Sequence, residues 1–160
     1  MQTLTGLPEL PDRPSSGHKG TFGQALIAAG SRGMSGAAVL AGLGALRSGT
    51  GLVRLAVPMG VERVVASYEP SYLVLGLPED DLGRTGGDAM SRLLEASESA
   101  TAVAIGPGWG FSDSLQALAT GLFETLECPL VIDADGLNVL GESGVLDSGR
   151  LPAGVRVLTP

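Results

Sequence analysis

The sequence predicts an α/β domain in which helices cover both faces of a parallel β-sheet. Runs with the composition of β-strands alternate with runs of helical periodicity, and this alternation is typical of strands joined by right-handed helical crossovers. The strand-type runs are almost continuously apolar, which indicates strands buried on both faces. With 160 residues, of which 44% are hydrophobic, the chain is long enough for one domain with a substantial core.

Six apolar runs predict the strands, and four helical segments lie between them. The strands are predicted at residues 24–30, 52–58, 72–78, 101–107, 129–135 and 155–160. The helices are predicted at residues 34–48, 60–68, 88–97 and 113–127. Asp113 is the predicted N-cap of the fourth helix, with Gln116 three residues later as in a capping box. The first helix is rich in Gly and Ala, which suits close packing or close approach by a ligand.

The remaining segments frame this domain. Residues 1–17 are proline-rich and predict an N-terminal arm, so the folded domain is expected to span residues 18–160. The segment 76–88 is acidic and glycine-rich, and we predict that it is a solvated surface crossover. Cys128 is the only cysteine, so it has no partner for an internal disulfide and is predicted to be a small buried thiol.

Composition and charge exclude several classes of partner. The formal net charge is −7 and the basic residues are scattered, which argues against a nucleic-acid-binding surface. The longest uncharged apolar run, residues 33–46, is too short to cross a bilayer. The N-terminal residues lack the basic-then-apolar order of a signal peptide. We therefore expect a cytoplasmic protein that binds neither membranes nor nucleic acid.

A glycine-rich motif follows the first predicted strand. In AAGSRGMSGAA, residues 28–38, the glycines Gly30, Gly33 and Gly36 are spaced three apart and lead into a helix. In an open parallel sheet, ligands bind beyond the carboxyl ends of the strands. The free N–H groups of a helix start at that edge suit an anion or a flat polar group.

A second glycine-rich motif follows the fourth predicted strand. In IGPGWGFSD, residues 105–113, we expect Gly106, Gly108 and Gly110 to keep side chains out of the way of a ligand. The motif contains the only tryptophan, Trp109, which either stacks on a ligand ring or covers the rim of the site.

An acidic motif follows the fifth predicted strand. In VIDADGLNVL, residues 131–140, Asp133 and Asp135 leave the strand and Asn138 follows one turn later. Two carboxylates in this position could hold Mg²⁺ through water, act as a base or cap a helix. The sequence leaves these three roles open.

Two common nucleotide-binding motifs are excluded. The glycines of residues 106–110 are not spaced as Gly-x-Gly-x-x-Gly, and no acidic residue ends the second strand, so the Rossmann fingerprint is missing. Lys19 is the only lysine and does not belong to a P-loop sequence. It adjoins the only histidine, His18, in a glycine-flanked turn.

Taken together, these motifs resemble a known family. Residues 18–53 resemble the opening of the ADP- or ATP-dependent NAD(P)H-hydrate dehydratases of the ribokinase-like superfamily. IGPGWG and IDADGLNVL match the next two signatures of that family in order, so the resemblance covers residues 18–160. It implies a ribokinase-like α/β fold, truncated after the sixth strand, that forms the N-terminal part of the family's domain.

The resemblance implies repair of damaged nicotinamide cofactors. In the family's reaction, ADP or ATP with Mg²⁺ phosphorylates the hydroxyl of NAD(P)H hydrate, and loss of phosphate regenerates the dihydronicotinamide. By resemblance, the residues expected to bind the dinucleotide hydrate are Met34, Gly36, Ala37, Gly106, Gly108, Gly110, Asp133, Asp135 and Asn138.

The resemblance places the rest of the family's site after Pro160. A His-Pro-Gly-Glu segment and a Gly-x-Gly-Asp turn are expected there, with most nucleotide contacts and the catalytic aspartate. No catalytic residue or metal ligand is therefore predicted within this chain, and Asp88 of TGGDAM is not assigned as the catalyst. Gly136 stands where an alanine is usual in the family, and we expect it to loosen the loop.

Other functions remain open at this point. A ribokinase-like kinase for a sugar or a vitamin precursor would share the same sheet. A non-catalytic fragment could bind a dinucleotide or pair with another subunit through an open sheet edge, which also permits a homo-oligomer.

Overall fold

The computed structural model describes residues 12–149 and 152–160. Its centre is a six-stranded parallel sheet with the strand order β3-β2-β1-β4-β5-β6. The strands are β1 (Gln24–Ala28), β2 (Leu52–Pro58), β3 (Tyr72–Leu77), β4 (Ala102–Ile105), β5 (Leu130–Asp133) and β6 (Arg156–Thr159). The α-helices are α1 (Ser35–Arg47), α2 (Met59–Ala66), α3 (Met90–Ser97), α4 (Asp113–Thr125) and α5 (Asp135–Glu142). The predicted α/β class with a parallel sheet is confirmed.

The strand order reverses at β1. β2 and β3 extend the sheet on one side of β1, and β4, β5 and β6 extend it on the other. Helices α1 and α2 pack on one face of the sheet, whereas α3, α4 and α5 pack on the opposite face. Because the chain leaves β1 and β4 towards opposite faces, a crevice opens between their carboxyl ends, where ligands bind in folds of this kind.

Neighbouring residues of each central strand fill different cores. Leu26 of β1 is buried in the core beneath α3, α4 and α5, whereas the adjacent Ile27 is buried against α1 and α2. Both faces of the strand are therefore apolar, which is why the run lacks the alternation of a half-exposed strand. Full burial of one such side chain contributes about 1.5–3 kcal/mol.

All six predicted strands are present, and several end earlier than predicted. β1 ends at Ala28 and β4 ends at Ile105, each two residues short of the prediction. Gly30 follows β1 with a φ of 78°, and Gly106 follows β4 with a φ of 115°. A positive φ is readily adopted only by glycine, and it turns the chain out of the sheet. The glycine motifs are thus turns rather than strand ends.

The four predicted helices correspond to α1 through α4, whereas α5 is absent from the prediction. α5 has eight residues, as α2 and α3 do, and its two glycines lower its helix propensity. The predicted N-cap of α4 is wrong by one residue. Ser112 is the N-cap, and its Oγ accepts a hydrogen bond from the Leu115 N–H at 3.2 Å. Asp113 lies in the first turn, where the helix dipole favours a negative charge.

Two peripheral predictions meet the structure only in part. Cys128, predicted to be a small buried thiol, is half-buried and packs at the edge of a core. Most of the predicted arm lies outside the described residues. Within its last part, the Arg13 guanidinium stacks over the Phe22 ring at 3.7 Å from the centroid and donates to the Gly49 carbonyl at 2.7 Å. In the described part of the chain, no helix is long and apolar enough to cross a membrane.

A buried tyrosine ties the edge strand β3 to α1. The Tyr72 hydroxyl donates a hydrogen bond to the Val39 carbonyl at 2.8 Å, and the side chain is buried. Its ring fills the space beside Gly42, where an added Cβ would come within 2.9 Å of ring carbons. Burial raises the pKa of the Tyr72 hydroxyl above its usual value, and the nearby Glu69 carboxylate raises it further.

We expect this pKa shift to make the stability of the protein fall at high pH. Because the folded state disfavours the phenolate, Tyr72 contributes stability that is fully present below about pH 10 and is lost as the pH rises through its raised pKa. Urea unfolding of wild type and Tyr72→Phe at several alkaline pH values measures this effect. Tyr72→Phe should flatten the fall, whereas Tyr68→Phe, at an exposed residue that makes only the smallest contribution to the raised pKa of Tyr72, should change it far less. Identical pH profiles for wild type and Tyr72→Phe would contradict the assignment.

Candidate functional site

The candidate site lies in the crevice between the carboxyl ends of β1 and β4. Two backbone turns form its centre, and they are bonded directly to each other. The N–H of Gly30, after β1, donates to the carbonyl of Pro107, after β4, at 2.7 Å. The buried hydroxyl of Ser31 donates to the carbonyl of Gly108 at 2.8 Å. The structure therefore brings the first two sequence motifs together.

Two glycines of the β4 turn are required by packing within the protein. A Cβ added to Gly106 would lie 2.6 Å from the backbone nitrogen of Gly136. A Cβ added to Gly108 would lie 2.7 Å from the Cβ of Ala37. The expectation that these glycines clear space for a ligand does not hold for Gly106 and Gly108, because protein atoms occupy that space.

The open surface lies instead at the start of α1. An added Cβ would meet nothing within 4 Å at Gly33 or at Gly36, and Gly36 is exposed. Ala37 is partly buried beside it, and Met34 occupies the N-cap position without a side-chain hydrogen bond to the helix. A ligand can therefore approach the backbone of the first turn of α1 directly.

The acidic motif holds neighbouring backbone in place. One oxygen of Asp133 accepts a hydrogen bond from the Thr159 hydroxyl of β6 at 2.8 Å. One oxygen of Asp135 accepts a hydrogen bond from the N–H of Gly110 at 2.8 Å. Ala134 lies between them with φ 49° and ψ −121°, a strained conformation for a residue with a Cβ. Asn138 is exposed on α5.

Neither carboxylate caps α5, because its N-cap is Ala134 and no side chain bonds to the start of the helix. Asp133 and Asp135 instead accept hydrogen bonds from β6 and from the β4 turn. Across residues 12–149 and 152–160, no three His, Cys, Asp or Glu side chains form a group that could hold a metal ion.

The expected effect of Gly136 is wrong. Gly136 is buried in the first turn of α5 and packs against the β4 turn, so it does not loosen a loop. A Cβ at this position would lie 3.0 Å from both the Cα of Gly106 and the carbonyl oxygen of Ile105. The glycine therefore permits unusually close contact between α5 and the β4 turn.

The segment 76–88 is predicted to be a solvated surface crossover, and Glu79, Asp81 and Leu82 within it are exposed. Its loop between β3 and α3, residues 78–86, is nevertheless bonded to the site. The N–H of Arg32, in the β1 turn, donates to the Gly83 carbonyl at 2.9 Å, and the Arg32 guanidinium lies 3.6 Å from Glu79. Glu79 in turn accepts a hydrogen bond from the Gly60 N–H of α2 at 2.7 Å. Thr85 is fully buried. The loop is thus fixed to both the β1 turn and α2.

Arg84 fixes the same loop to the β4 turn. Its Nε and Nη2 donate to one oxygen of Asp80 at 2.8 and 2.7 Å, and its Nη1 donates to the Phe111 carbonyl. Burial alone would raise the pKa of Asp80, but the hydrogen bonds and the positive charge from Arg84 outweigh it, so the pKa is lowered. Sequence reasoning missed these residues because acidic and glycine-rich composition suggested solvent exposure.

The tryptophan that the sequence singled out does not border the site. Trp109 is fully buried in the core beneath α3, α4 and α5, so it neither stacks on a ligand nor covers a rim. Phe111, two residues later, is 43% exposed, and Met34 of the β1 turn is 41% exposed. These two are the exposed large apolar side chains of the two glycine-rich motifs.

The contact between Gly106 and Gly136 predicts a contrast between two glycine substitutions. Gly106→Ala should lower the free energy of unfolding by more than about 2 kcal/mol, because φ is positive and the new Cβ would strike the backbone of α5. Gly36→Ala, in a helix with open space, should stabilise by up to about 1 kcal/mol. Chemical denaturation of both variants measures the difference. Equal stability of the two variants would refute the packing role of Gly106.

The Asp80–Arg84 contact predicts a loss of stability in acid. Because the pKa of Asp80 is lowered in the folded state, its contribution is fully present above about pH 4 and is lost as the pH falls through the lowered pKa. Asp80→Asn should destabilise by about 1 kcal/mol at neutral pH, with a smaller difference in acid. The exposed Asp81→Asn is the matched control. If the free energies of unfolding of wild type and Asp80→Asn changed in the same way with pH over this range, Asp80 would not have this role.

Comparisons with known proteins agree with this fold. A sequence profile of the NAD(P)H-hydrate dehydratase family matches residues 25–160. A bifunctional NAD(P)H-hydrate repair enzyme of Moorella thermoacetica is 39% identical over 153 residues, which cover 95% of this chain and 28% of that protein.

Two solved structures share the fold. An ADP/ATP-dependent NAD(P)H-hydrate dehydratase from Bacillus subtilis, co-crystallised with ATP and Mg²⁺, matches with a TM-score of 0.72 at 32% identity, covering 94% of this chain and 48% of that one. A ribokinase-like superfamily protein from Enterococcus faecalis matches with a TM-score of 0.74 at 22% identity, covering 93% and 49%, a likeness of fold alone. The chain thus spans about half the length of these solved relatives. It has the ribokinase-like fold and belongs to the NAD(P)H-hydrate dehydratase family.

Proposed function

We propose that this chain is the hydrate-binding part of an ADP- or ATP-dependent NAD(P)H-hydrate dehydratase. The observation that carries the proposal is the pair of bonded turns at the β1–β4 crevice, within a chain matched by the family profile over residues 25–160. The relative from Bacillus subtilis is described as ADP/ATP-dependent and was crystallised with ATP and Mg²⁺. The substrate would be NAD(P)H hydrate, a small dinucleotide.

The proposed reaction requires a site that orients the hydrate and the nucleotide relative to each other. The hydrate hydroxyl attacks the terminal phosphoryl group of ADP or ATP, loses its proton and forms a phosphate ester, while AMP or ADP leaves with the electrons of the broken P–O bond. Phosphate then leaves with the bonding electrons of the C–O bond, and loss of a proton from the neighbouring carbon restores the ring double bond. Phosphoryl transfer of this kind depends mainly on positioning and on electrostatic stabilisation of charge.

The residues of this chain supply the binding surface for the hydrate. We assign direct contact to Met34, Gly36, Ala37 and Gly110, which border the open part of the crevice. Gly106, Gly108, Asp133 and Asp135 would act as positioning residues, because their contacts are with other parts of the protein. The contribution of the exposed Asn138 remains a prediction from the family resemblance.

The described residues do not account for the chemical step. His18, the sole histidine, precedes β1 at the opposite end of the sheet, where its ring accepts a hydrogen bond from the Gly20 N–H at 3.1 Å. No metal-binding group exists in the described part of the chain, so we assign no ligand to Mg²⁺ here. The family resemblance places the catalytic aspartate and most nucleotide contacts after residue 160.

A binding measurement with a blocking variant tests this proposal. We expect the 160-residue chain to bind NADPH hydrate in calorimetry. Gly36→Leu should abolish binding without unfolding the protein, because its side chain enters open space at the proposed contact surface. Gly44→Leu is the matched control: it lies two turns further along α1, also in open space, and should bind like wild type.

Each outcome of this experiment decides a separate point. No binding by wild type would overturn the proposed function for this chain. Binding by Gly36→Leu as tight as that of wild type would overturn the assigned position of the site. In the presence of ADP or ATP with Mg²⁺, an accumulating phosphorylated product without dehydration would favour a ribokinase-like kinase instead.

A further inference from the structure

β6 is an edge strand with little buried surface. In the described part of the chain it lies beyond β5 at one edge of the sheet. Val157 is 44% exposed and Leu158 is 40% exposed, and successive side chains of a strand point to opposite faces. Burial of one face normally fixes the register of a strand, so the apolar side chains of β6 specify its register only weakly.

Arg156, the first residue of β6, makes a polar contact with the end of α4. Its Nε and Nη2 donate to the Phe123 carbonyl at 2.9 and 2.7 Å, and Nη2 also donates to the Leu126 carbonyl at 2.6 Å. Nη1 donates to the Val155 carbonyl at 3.1 Å. The last carbonyls of a helix have no partner within it and favour a nearby positive charge. Arg156 therefore caps α4 and ties β6 to it.

Thr159, the last residue of β6, makes a second polar contact at the site. Its hydroxyl donates to the Asp133 carboxylate at 2.8 Å and lies 3.2 Å from the Ile132 carbonyl oxygen. Asp133 is one of the residues assigned to the site. The position of β6 is therefore communicated to the site through this hydrogen bond.

The two contacts require the same register. Arg156 is aligned with Leu130 of β5, and Thr159 is aligned with Asp133. A shift of one residue would turn the Arg156 side chain to the face opposite α4, and a shift of two would move the Thr159 hydroxyl by about 7 Å. Either shift would separate Thr159 from Asp133.

We propose that Arg156 fixes the register of β6 and thereby acts as a positioning residue for Asp133 at the site. Arg156 lies at the amino end of β6, whereas the site lies at the carboxyl end of the sheet, so it acts through the strand and not by touching a ligand. The effect on hydrate binding rests on the proposed function, whereas the effect on register does not.

Hydrogen exchange tests the register directly. Arg156→Met keeps a long side chain but removes the donors to α4. It should speed amide exchange in residues 155–159 by at least about tenfold, the scale expected for loss of charge-assisted hydrogen bonds, without a comparable change in β1. Arg156→Lys keeps the charge but not the planar arrangement of donors, so it should restore only part of the protection.

Calorimetry with NADPH hydrate tests the effect on the site. Arg156→Met should weaken binding by about two- to thirtyfold, the range usual for residues that act on a site through others. Thr159→Val removes the hydroxyl and should weaken binding by a similar factor. Because Arg156 acts through Thr159, the double variant should bind about as well as Thr159→Val alone. Effects on binding that multiply in the double variant would contradict this route.

Arg92→Met is the matched control. Arg92 of α3 also donates to a carbonyl of an edge strand, that of Gly76 at 2.7 Å, but this strand is β3, at the opposite edge of the sheet. Arg92→Met should lower the free energy of unfolding in urea, as Arg156→Met does, and leave hydrate binding unchanged. Equal losses of binding in the two variants would mean a general effect of destabilisation and would overturn the positioning role.

The failures of this inference and of the proposed function are distinguishable. If Arg156→Met leaves exchange in β6 unchanged, the register role is overturned, whatever wild type binds. If exchange rises but Arg156→Met binds the hydrate as tightly as wild type, the positioning role is overturned and the proposed function stands. If wild type binds no NADPH hydrate, the proposed function and the positioning role fail together, and exchange in β6 still decides the register role.

Discussion

The site depends on direct backbone contact between the turn after β4 and the two elements beside it. Gly106 packs against Gly136 of α5, and Gly108 packs against Ala37 of α1, at distances that leave no room for another side chain. Hydrogen bonds from Gly30 and Ser31 then join the β1 turn to the same segment. The strand order reverses between β1 and β4, so the helices that follow these two strands lie on opposite faces of the sheet. The contacts fill the space between the ends of the two strands.

The loop after β3, residues 78–86, is held next to this arrangement mainly by hydrogen bonds and ion pairs rather than by close packing. It crosses from the edge strand towards the β4 turn and is fixed on the way by Glu79, by the Gly83 carbonyl and by the Asp80–Arg84 pair. These contacts are only partly buried, so each one contributes modestly. Their combined effect is geometric: they hold the loop against the β1 turn and the β4 turn.

The parts of the fold that the sequence predicts are those in which side-chain burial repeats regularly. The central strands appear as continuous apolar runs because both of their faces are covered, and α1 through α4 show a helical pattern. The exposure of Phe111 and the burial of Trp109 could not be predicted in the same way. In a turn with three glycines of positive φ, the direction of each side chain follows no period.

The sequence predicts which motifs form the candidate site, but not which contacts their side chains make. The resemblance identified Asp133 and Asp135, whereas only the structure separates their partners, Thr159 for one and Gly110 for the other. The loop of residues 78–86 carries no family motif and has the composition of a solvated segment. Its contacts are between residues far apart in the sequence, as between Arg84 and Phe111, and no local pattern encodes them.

The strained backbone at Ala134 shows how firmly this edge of the sheet is fixed before any ligand binds. A conformation of this kind costs about 1–3 kcal/mol and persists only when its surroundings determine it. Here the two flanking carboxylates point to different partners, so relaxation of Ala134 would break the bond to Thr159 or the bond to Gly110. The strain is therefore the consequence of joining β6 and the β4 turn through one short segment. Under the proposed function, a surface held in this way would need little further ordering when its ligand binds, which lowers the entropic cost of binding.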